Sequence, residues 1–269
     1  MTVTDVAAAR FRAEYGAHRA AEGRGHDPAE LFALPYMVTG PLARQWTVRA
    51  RSFDALLSRV LIPAAAARTP QPSLLDLGAG NGWLCYRAVL EGYRAVAVDV
   101  RDDHVDGLGA ADGYLALTSG LLHRVVGSFD ALPIRPGSFD VVVFNAALHY
   151  ALDLGTVLLE ARRASRSGGR VVILDSPFYQ NDADGAAMVA EKRRDAARRF
   201  GDRAEALMAL PFVEYLTADR LAAASRGLGL VWRRHRVRYP LWYEVRPLIA
   251  WLRRRRAPSR FDLWECTVP

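Results

Sequence analysis

The residues best suited to chemistry lie in Leu74-Leu75-Asp76-Leu77-Gly78-Ala79-Gly80-Asn81-Gly82-Trp83, where three glycines alternate after an apolar run and before a helical pattern. Glycines at such a turn let the backbone bend sharply and let a ligand approach the peptide planes, where any Cβ would intrude. The spacing discriminates between ligands. A dinucleotide fingerprint needs GxGxxG, and counted from Gly78 its last position is Trp83. No GxxxxGK phosphate loop followed by Ser or Thr is present either. What remains is an acid-x-Gly-x-Gly-x-Gly turn joining a strand to a helix.

The elements that must hold this turn follow from the apolar pattern. Residues 73–77, 95–100, 125–126, 140–144 and 171–174 read as strands, and residues 83–91, 103–117 and 153–165 as the helices between them. Strands joined by helices at this spacing imply a parallel sheet covered on both faces. Gly92 stands where a helix C-cap belongs, Asp153 where an N-cap belongs, and Gly168-Gly169 is expected to end the helix before the fifth strand. Ahead of the sheet, Val3, Ala7, Phe11 and Tyr15 suggest a helix over residues 4–21. A second helix is expected from an N-cap at Ser52 to a stop at Pro63, carrying Phe53, Leu56, Leu57, Val60 and Leu61 on one face. Residues 23–40 read as a Gly/Pro loop and 69–72 as a linker, so the chain divides into a helical cap over 1–70 and a larger domain over 71–269. Beyond the fifth strand, residues 179–215 exceed an ordinary αβ connection and are expected to form a lid, with a charged helix over 191–200. A helix over 217–228 and strands over 230–239 and 261–268 complete the pattern.

Composition bounds the class. At 269 residues, 51% apolar and 24% charged, the chain suits a soluble globular domain, not a disordered or collagen-like one. Its charge of +7 comes almost wholly from arginine, Lys192 being the sole lysine, and the arginines are spread along the chain without forming one nucleic-acid stripe. Cys85 and Cys266 lie far apart with no partner at metal or CxxC spacing, as expected in a reducing compartment. The histidines His18, His26, His104, His123 and His235 form no ligand set, so no metal is expected. Neither a leader-like segment nor an apolar run of about 18 residues is present, which fits a cytoplasmic protein.

With these residues in place, the sequence resembles the class I S-adenosylmethionine-dependent methyltransferases, and within them the ubiquinone/menaquinone biosynthesis methyltransferase group. The acid-x-Gly-x-Gly-x-Gly turn matches the family's first cofactor motif, and later stretches follow in order. These are Ala97-Val98-Asp99-Val100, Val126-Gly127-Ser128-Phe129-Asp130-Ala131-Leu132-Pro133, Gly137 through Tyr150, and Ser167-Gly168-Gly169-Arg170-Val171-Val172-Ile173. The resemblance covers residues 71–176 well and the cap hardly at all. It implies a Rossmann-like, doubly wound, seven-stranded sheet, mostly parallel with the last strand antiparallel, and S-adenosyl-L-methionine as cofactor. It further implies that Asp76, Gly78, Ala79, Gly80, Asn81, Gly82 and Trp83 line the methionine and ribose portions, and that Asp99 accepts the ribose hydroxyls. Val100 would lie on the adenine, Phe129 would offer its amide to a ring nitrogen, and Asn145 and Ala146 would line the fourth strand's end. The chain departs from the family at Ser128, where an acid is usual, so either its hydroxyl serves or Asp130 reaches in.

Methyl transfer from a sulfonium asks a protein mainly to align the nucleophile and exclude water. An oxygen nucleophile gains from a base, and His149, just past the fourth strand, is the candidate. Tyr150, Tyr179 and the Asp175-Ser176-Pro177 turn leave the same sheet edge and are candidates for the acceptor pocket. In the cap, Trp46 is placed against the acceptor and Arg49 against the cofactor carboxylate. The segment from Pro247 to Arg256 reads as a short helix with a cationic end; contact with an anionic acceptor or a membrane surface stays open, since Leu248, Ile249, Trp251 and Leu252 cluster beside the arginines. The expected activity is methylation of an oxygen or nitrogen on a small-molecule acceptor in a biosynthetic pathway. A methyltransferase acting on RNA or another macromolecule is the alternative, weakened by Asn145-Ala146-Ala147-Leu148 where amino-directed base methylation uses Asp/Asn-Pro-Pro-Tyr/Phe, and by the lack of a Pro-Cys nucleophile. A silent, cofactor-binding interaction subunit is the third.

Overall fold

The computed structural model describes residues 14, 16, 27–67, 71–201 and 210–269, so the helix expected over 4–21 lies outside the described residues apart from Glu14 and Gly16. Seven strands form one sheet: β1 (Ser73–Leu77), β2 (Arg94–Asp99), β3 (Leu122–Val126), β4 (Phe139–Asn145), β5 (Ser165–Leu174), β6 (Arg233–His235) and β7 (Leu263–Thr267), in the order β3-β2-β1-β4-β5-β7-β6. Neighbours from β3 through β5 are parallel, and β7 runs antiparallel to both β5 and β6. The order reverses between β1 and β4, and at such a switch the connections leave in opposite directions and open a crevice past the carboxyl ends of the strands.

Strand alternation sorts the core into two faces. Leu74, Ala95, Ala97, Val141, Val143 and Val172 pack on one side with the helix α4 (Trp83–Leu90) and the cap, while Leu75, Leu77, Val98, Val142, Phe144 and Ile173 pack on the other with α6 (Leu154–Ala164). Two of the expected helix caps, at Asp153 and Gly92, form as the sequence predicts. Asp153 accepts from the Thr156 amide at 2.7 Å. Gly92, at φ +86°, follows the end of α4, and the amides of Gly92 and Tyr93 return to Val89 and Ala88.

The cap departs from its expected bounds. After a short α1 (Pro28–Ala33), α2 spans Ala43–Leu56, so Ser52 sits in the helix interior and does not cap it. Pro63 does not stop the chain either. A π turn, Leu57–Leu61, widens the ladder just before Pro63, and the helical run continues as α3 (Ile62–Ala66). The helix expected over 103–117 shrinks to a 3₁₀ turn, Leu108–Ala111, and α5 (Asp112–Leu117). The Asp103 carboxylate accepts from the amides of Val105 and Asp106, a local alternative to helix, and a Cβ at Gly109 would come within 2.6 Å of the Asp102 carbonyl oxygen.

Gly168-Gly169 also differs from expectation. The pair lies inside β5, where Ser165 pairs with Phe139 and Arg170 with Val141, so a bulge must fit between two adjacent registers. Gly168 has φ +74°, and a Cβ on Gly169 would meet the Arg166 carbonyl at 2.8 Å. In the insertion α7 (Asp182–Phe200) begins at an Asn181 cap, well ahead of the helix expected over 191–200, and residues 202–209 lie outside the described residues. The helix expected over 217–228 is α8 (Ala218–Ala224), and the strand expected over 230–239 is only the three residues of β6. Two short helices, α9 (Leu241–Glu244) and α10 (Arg246–Leu252), precede β7.

The cap shares the core of the sheet. Phe53 and Trp46 are buried and meet the Trp83 ring edge-on at 5.6 and 5.9 Å. Phe53→Ala is therefore expected to destabilise the whole chain by about 3–5 kcal/mol, read by chemical denaturation as one shifted transition. A separate early transition of the cap would contradict the shared core.

Candidate functional site

A cavity of about 710 Å³ opens at the carboxyl ends of β1, β2, β4 and β5, within the size range of small-molecule sites. Its floor is the glycine turn. Gly78, Gly80 and Gly82 have φ of +75°, +55° and +74°, which side chains rarely tolerate. A Cβ on Gly78 would lie 2.5 Å from the Ala147 Cβ, so this glycine is needed both for its backbone angle and for the approach of β4's exit loop. The amides of Gly78 and Ala79 donate to the Val98 carbonyl at 2.8 and 3.0 Å, which locks the turn onto β2.

That lock brings Asp99 to the centre. Its Oδ2 accepts from the Gly80 amide at 2.8 Å and its Oδ1 from the Arg101 amide at 2.9 Å. Burial pushes its carboxyl up, while the two amides pull it back. Beneath the turn, Asp76 is fully buried, with neither oxygen hydrogen-bonded among the described residues. Burial and the nearby Asp99 push Asp76 up to about 8. The Asn145 side-chain oxygen is likewise buried and unpartnered.

Of the residues singled out from sequence, Gly78, Ala79, Gly80, Asn81, Trp83, Asp99 and Val100 line one end of the cavity with Ser128, Phe129 and Asp130. Asn145, Ala146, His149, Tyr150, Trp46 and Arg49 line it as well. Three do not. Asp76 lies under the floor, Gly82 faces Ala111 at the start of α4, and the buried Tyr179 is held away by Arg256 at 3.2 Å and by the Tyr215 ring. Tyr179 thus braces the insertion.

The other end is built from segments distant in sequence. His149 sits in a 3₁₀ turn, Leu148–Tyr150, whose His149 carbonyl accepts from the Glu214 amide at 2.9 Å. The Tyr150 ring meets Phe212 edge-on at 5.6 Å. Arg44, Trp242, Tyr243 and Arg246 also face the cavity, and no motif in the sequence pointed to them. Arg44 lies over the Trp242 ring at 5.6 Å, and the Arg246 guanidinium over Tyr243 at 3.6 Å.

Asp175, named in sequence only as part of a turn, ends β5 in this wall. Like Ala146 at the end of β4, it has positive φ without being glycine, +48° against +55°, a conformation that costs about 1–3 kcal/mol and collects at functional sites. Ser52 donates to its Oδ1 at 2.5 Å and lies 2.9 Å from the Tyr239 hydroxyl, which donates to the Phe261 carbonyl at 2.5 Å. Burial pushes Asp175 up to about 6, against the pull of Arg49 and Ser52. Cys85 and Cys266 are free, buried and apart from the cavity, and burial raises both thiols, which suits packing more than nucleophilic attack.

Residues 75–173 match the family described as a methyltransferase domain. An uncharacterised methyltransferase of Mycobacterium tuberculosis is 39% identical over 111 residues, covering 41% of this chain and 40% of that protein. A ubiquinone/menaquinone biosynthesis C-methyltransferase of Dinoroseobacter shibae is 30% identical over 142 residues, 52% of this chain and 51% of that one. The chain thus spans about half or less of the length of these curated relatives. Among solved structures, the geranyl diphosphate C-methyltransferase of Streptomyces coelicolor A3(2) superposes with a TM-score of 0.57 at 14% identity, covering 91% of this chain and 92% of that one. At that identity the likeness is one of fold.

The Asp76 carboxyl titrates differently in folded and unfolded chains. Its folded value near 8 lies above the unfolded value of 3.8, so the folded state holds the proton more tightly, and stability falls as pH rises through that window. Asp76→Asn should flatten the decline in unfolding midpoint between about pH 4 and 8. An unchanged slope would place the dependence elsewhere.

Proposed function

We propose that this chain, whose residues 75–173 match a methyltransferase domain, binds S-adenosyl-L-methionine and transfers its methyl group to an oxygen or nitrogen of a small-molecule acceptor. One observation carries the reading. The Asp99 carboxyl, held by the Gly80 and Arg101 amides, lines the cavity beside a glycine turn in left-handed backbone, a cradle that fits the ribose and methionine portions of the cofactor. The donor set fits the cofactor. Each Asp99 oxygen, having taken one amide, keeps a lone pair for a ribose hydroxyl. Ser128, Phe129 and Asp130 are assigned to the adenine, Val100 to its face, and Arg49 to the carboxylate.

When bound, the cofactor supplies a methyl carbon already activated for in-line displacement. The chain's task is then to aim the acceptor and keep water out. Trp46, Tyr150, Phe212 and Trp242 form an aromatic wall suited to an apolar acceptor body, with Arg44 and Arg246 at its edge. His149 takes the acceptor's proton at its imidazole, and Asp175 holds the acceptor's polar end. Leu210 and Phe212 of the insertion and α2 of the cap contribute to the lining of the cavity that would enclose the acceptor.

Labelled methyl from S-adenosyl-L-methionine, incubated with the protein and fractionated cell extract, should enter the low-mass fraction. Label confined to RNA, DNA or protein would instead support a macromolecular acceptor. Asp99→Ala should weaken cofactor binding by about 1.5–3 kcal/mol in calorimetry, as for loss of a charged acceptor; unchanged affinity would displace the site. With an acceptor in hand, His149→Ala should lower turnover at unchanged cofactor affinity. If Asp175 were the base, turnover would rise with pH through about 6 and Asp175→Asn would abolish that rise, leaving His149→Ala near normal.

A further inference from the structure

The surface beside the cavity mouth breaks the rule that folded chains scatter their exposed apolar residues. Leu241, Leu248, Trp251 and Leu252 are 78%, 57%, 72% and 66% exposed, and none of the seven residues of α10 is buried. Leu248, Trp251 and Leu252 fall three and four positions apart, on one face of the helix. Arg253, Arg254 and Arg255 follow directly and are exposed, whereas Arg256 turns back to Glu191 at 2.8 Å.

We propose that α9, α10 and the arginines after them form an interfacial anchor that seats the chain on an anionic lipid bilayer. Tryptophan and leucine on one side with arginine beside them is the composition that partitions to the headgroup boundary, the apolar side chains entering and the guanidinium groups meeting lipid phosphates. Charge selects this occupant over a second copy. A twofold contact through the same patch would offer Arg253, Arg254 and Arg255 little opposite charge, since Glu244, the one acid in residues 241–255, already pairs with Arg260, whereas an anionic bilayer offers opposite charge across its whole surface. Among the described residues no helix is long and apolar enough to cross a membrane, so the contact is with the surface. Trp242, Tyr243 and Arg246 belong to the same two helices and line the cavity, so docking brings the cavity mouth to headgroup level. The anchor does not depend on methyl transfer.

Flotation with vesicles tests it, using phosphatidylcholine alone and phosphatidylcholine mixed equally with phosphatidylglycerol. The protein is expected to float with the mixed vesicles at low salt and to be released as salt screens the arginines. Binding should fall about tenfold or more in Arg253→Gln/Arg254→Gln/Arg255→Gln, and comparably in Trp251→Ser/Leu252→Ser, both at an unchanged unfolding midpoint. No flotation overturns the proposal. So does undiminished binding by Trp251→Ser/Leu252→Ser, which would leave only diffuse charge attraction. A concentration-dependent dimer abolished by that variant would give the patch to a second copy.

Discussion

Stripping water from the carboxyl groups at the ends of β1 and β2 is the constraint around which the molecule is arranged. A lone buried carboxylate is costly, and the protein offers Asp99 only two amides and Asp76 no hydrogen bond among the described residues. Supplying even those two amides demands the left-handed backbone at Gly80, the pairing of Gly78 and Ala79 with Val98, and a glycine at 78, where any Cβ would come within 2.5 Å of the Ala147 Cβ. The sheet order then decides what can reach these groups, since the reversal between β1 and β4 opens the crevice directly above them. The result is a rigid floor that presents the Asp99 carboxyl to the cavity.

The two ends of the cavity are made in different ways. The floor comes from one continuous turn and two strand ends. The opposite wall draws on α2, the ends of β4 and β5, the segment after α7, and α9 and α10, held together by the run from Asp175 through Ser52 and Tyr239 to Phe261. Strain falls on the same wall, at Ala146 and Asp175 on neighbouring strands. A core shared with the sheet keeps the cap in register, so that wall is fixed relative to the floor by buried aromatic contacts.

The floor was legible in the sequence because its determinants are local: three glycines in register, an acid at each of two strand ends, and apolar runs of strand length. A parallel sheet covered on both faces followed from the alternation of strands and helices, and the seven strands with an antiparallel last one followed from the family resemblance. Errors arose where a side chain serves a distant partner. Ser52 has the chemistry of an N-cap, yet it is spent on Asp175, 123 residues away. Asp103 and Gly109 belong to a turn that the apolar spacing of 103–117 concealed. Gly168-Gly169 has the look of a helix stop but relieves a bulge set by the partner strand. Trp242 and Arg246 had no signal, because their place in the wall depends on how β7 returns to the sheet.

The link from Ser52 to Tyr239 spans 187 residues. Contacts so far apart in the chain contribute little until both halves exist, and the loop closed between them must first be ordered. During synthesis β1 to β5 can already pair and seat the glycine turn, while Ser52 and Asp175 wait, facing each other without their third member. Only when Tyr239 and Phe261 have left the ribosome is the second wall finished. A chain stalled or clipped before that point would lack Tyr239 and Phe261, and with them the end of the run that holds Ser52 and Asp175 in the second wall.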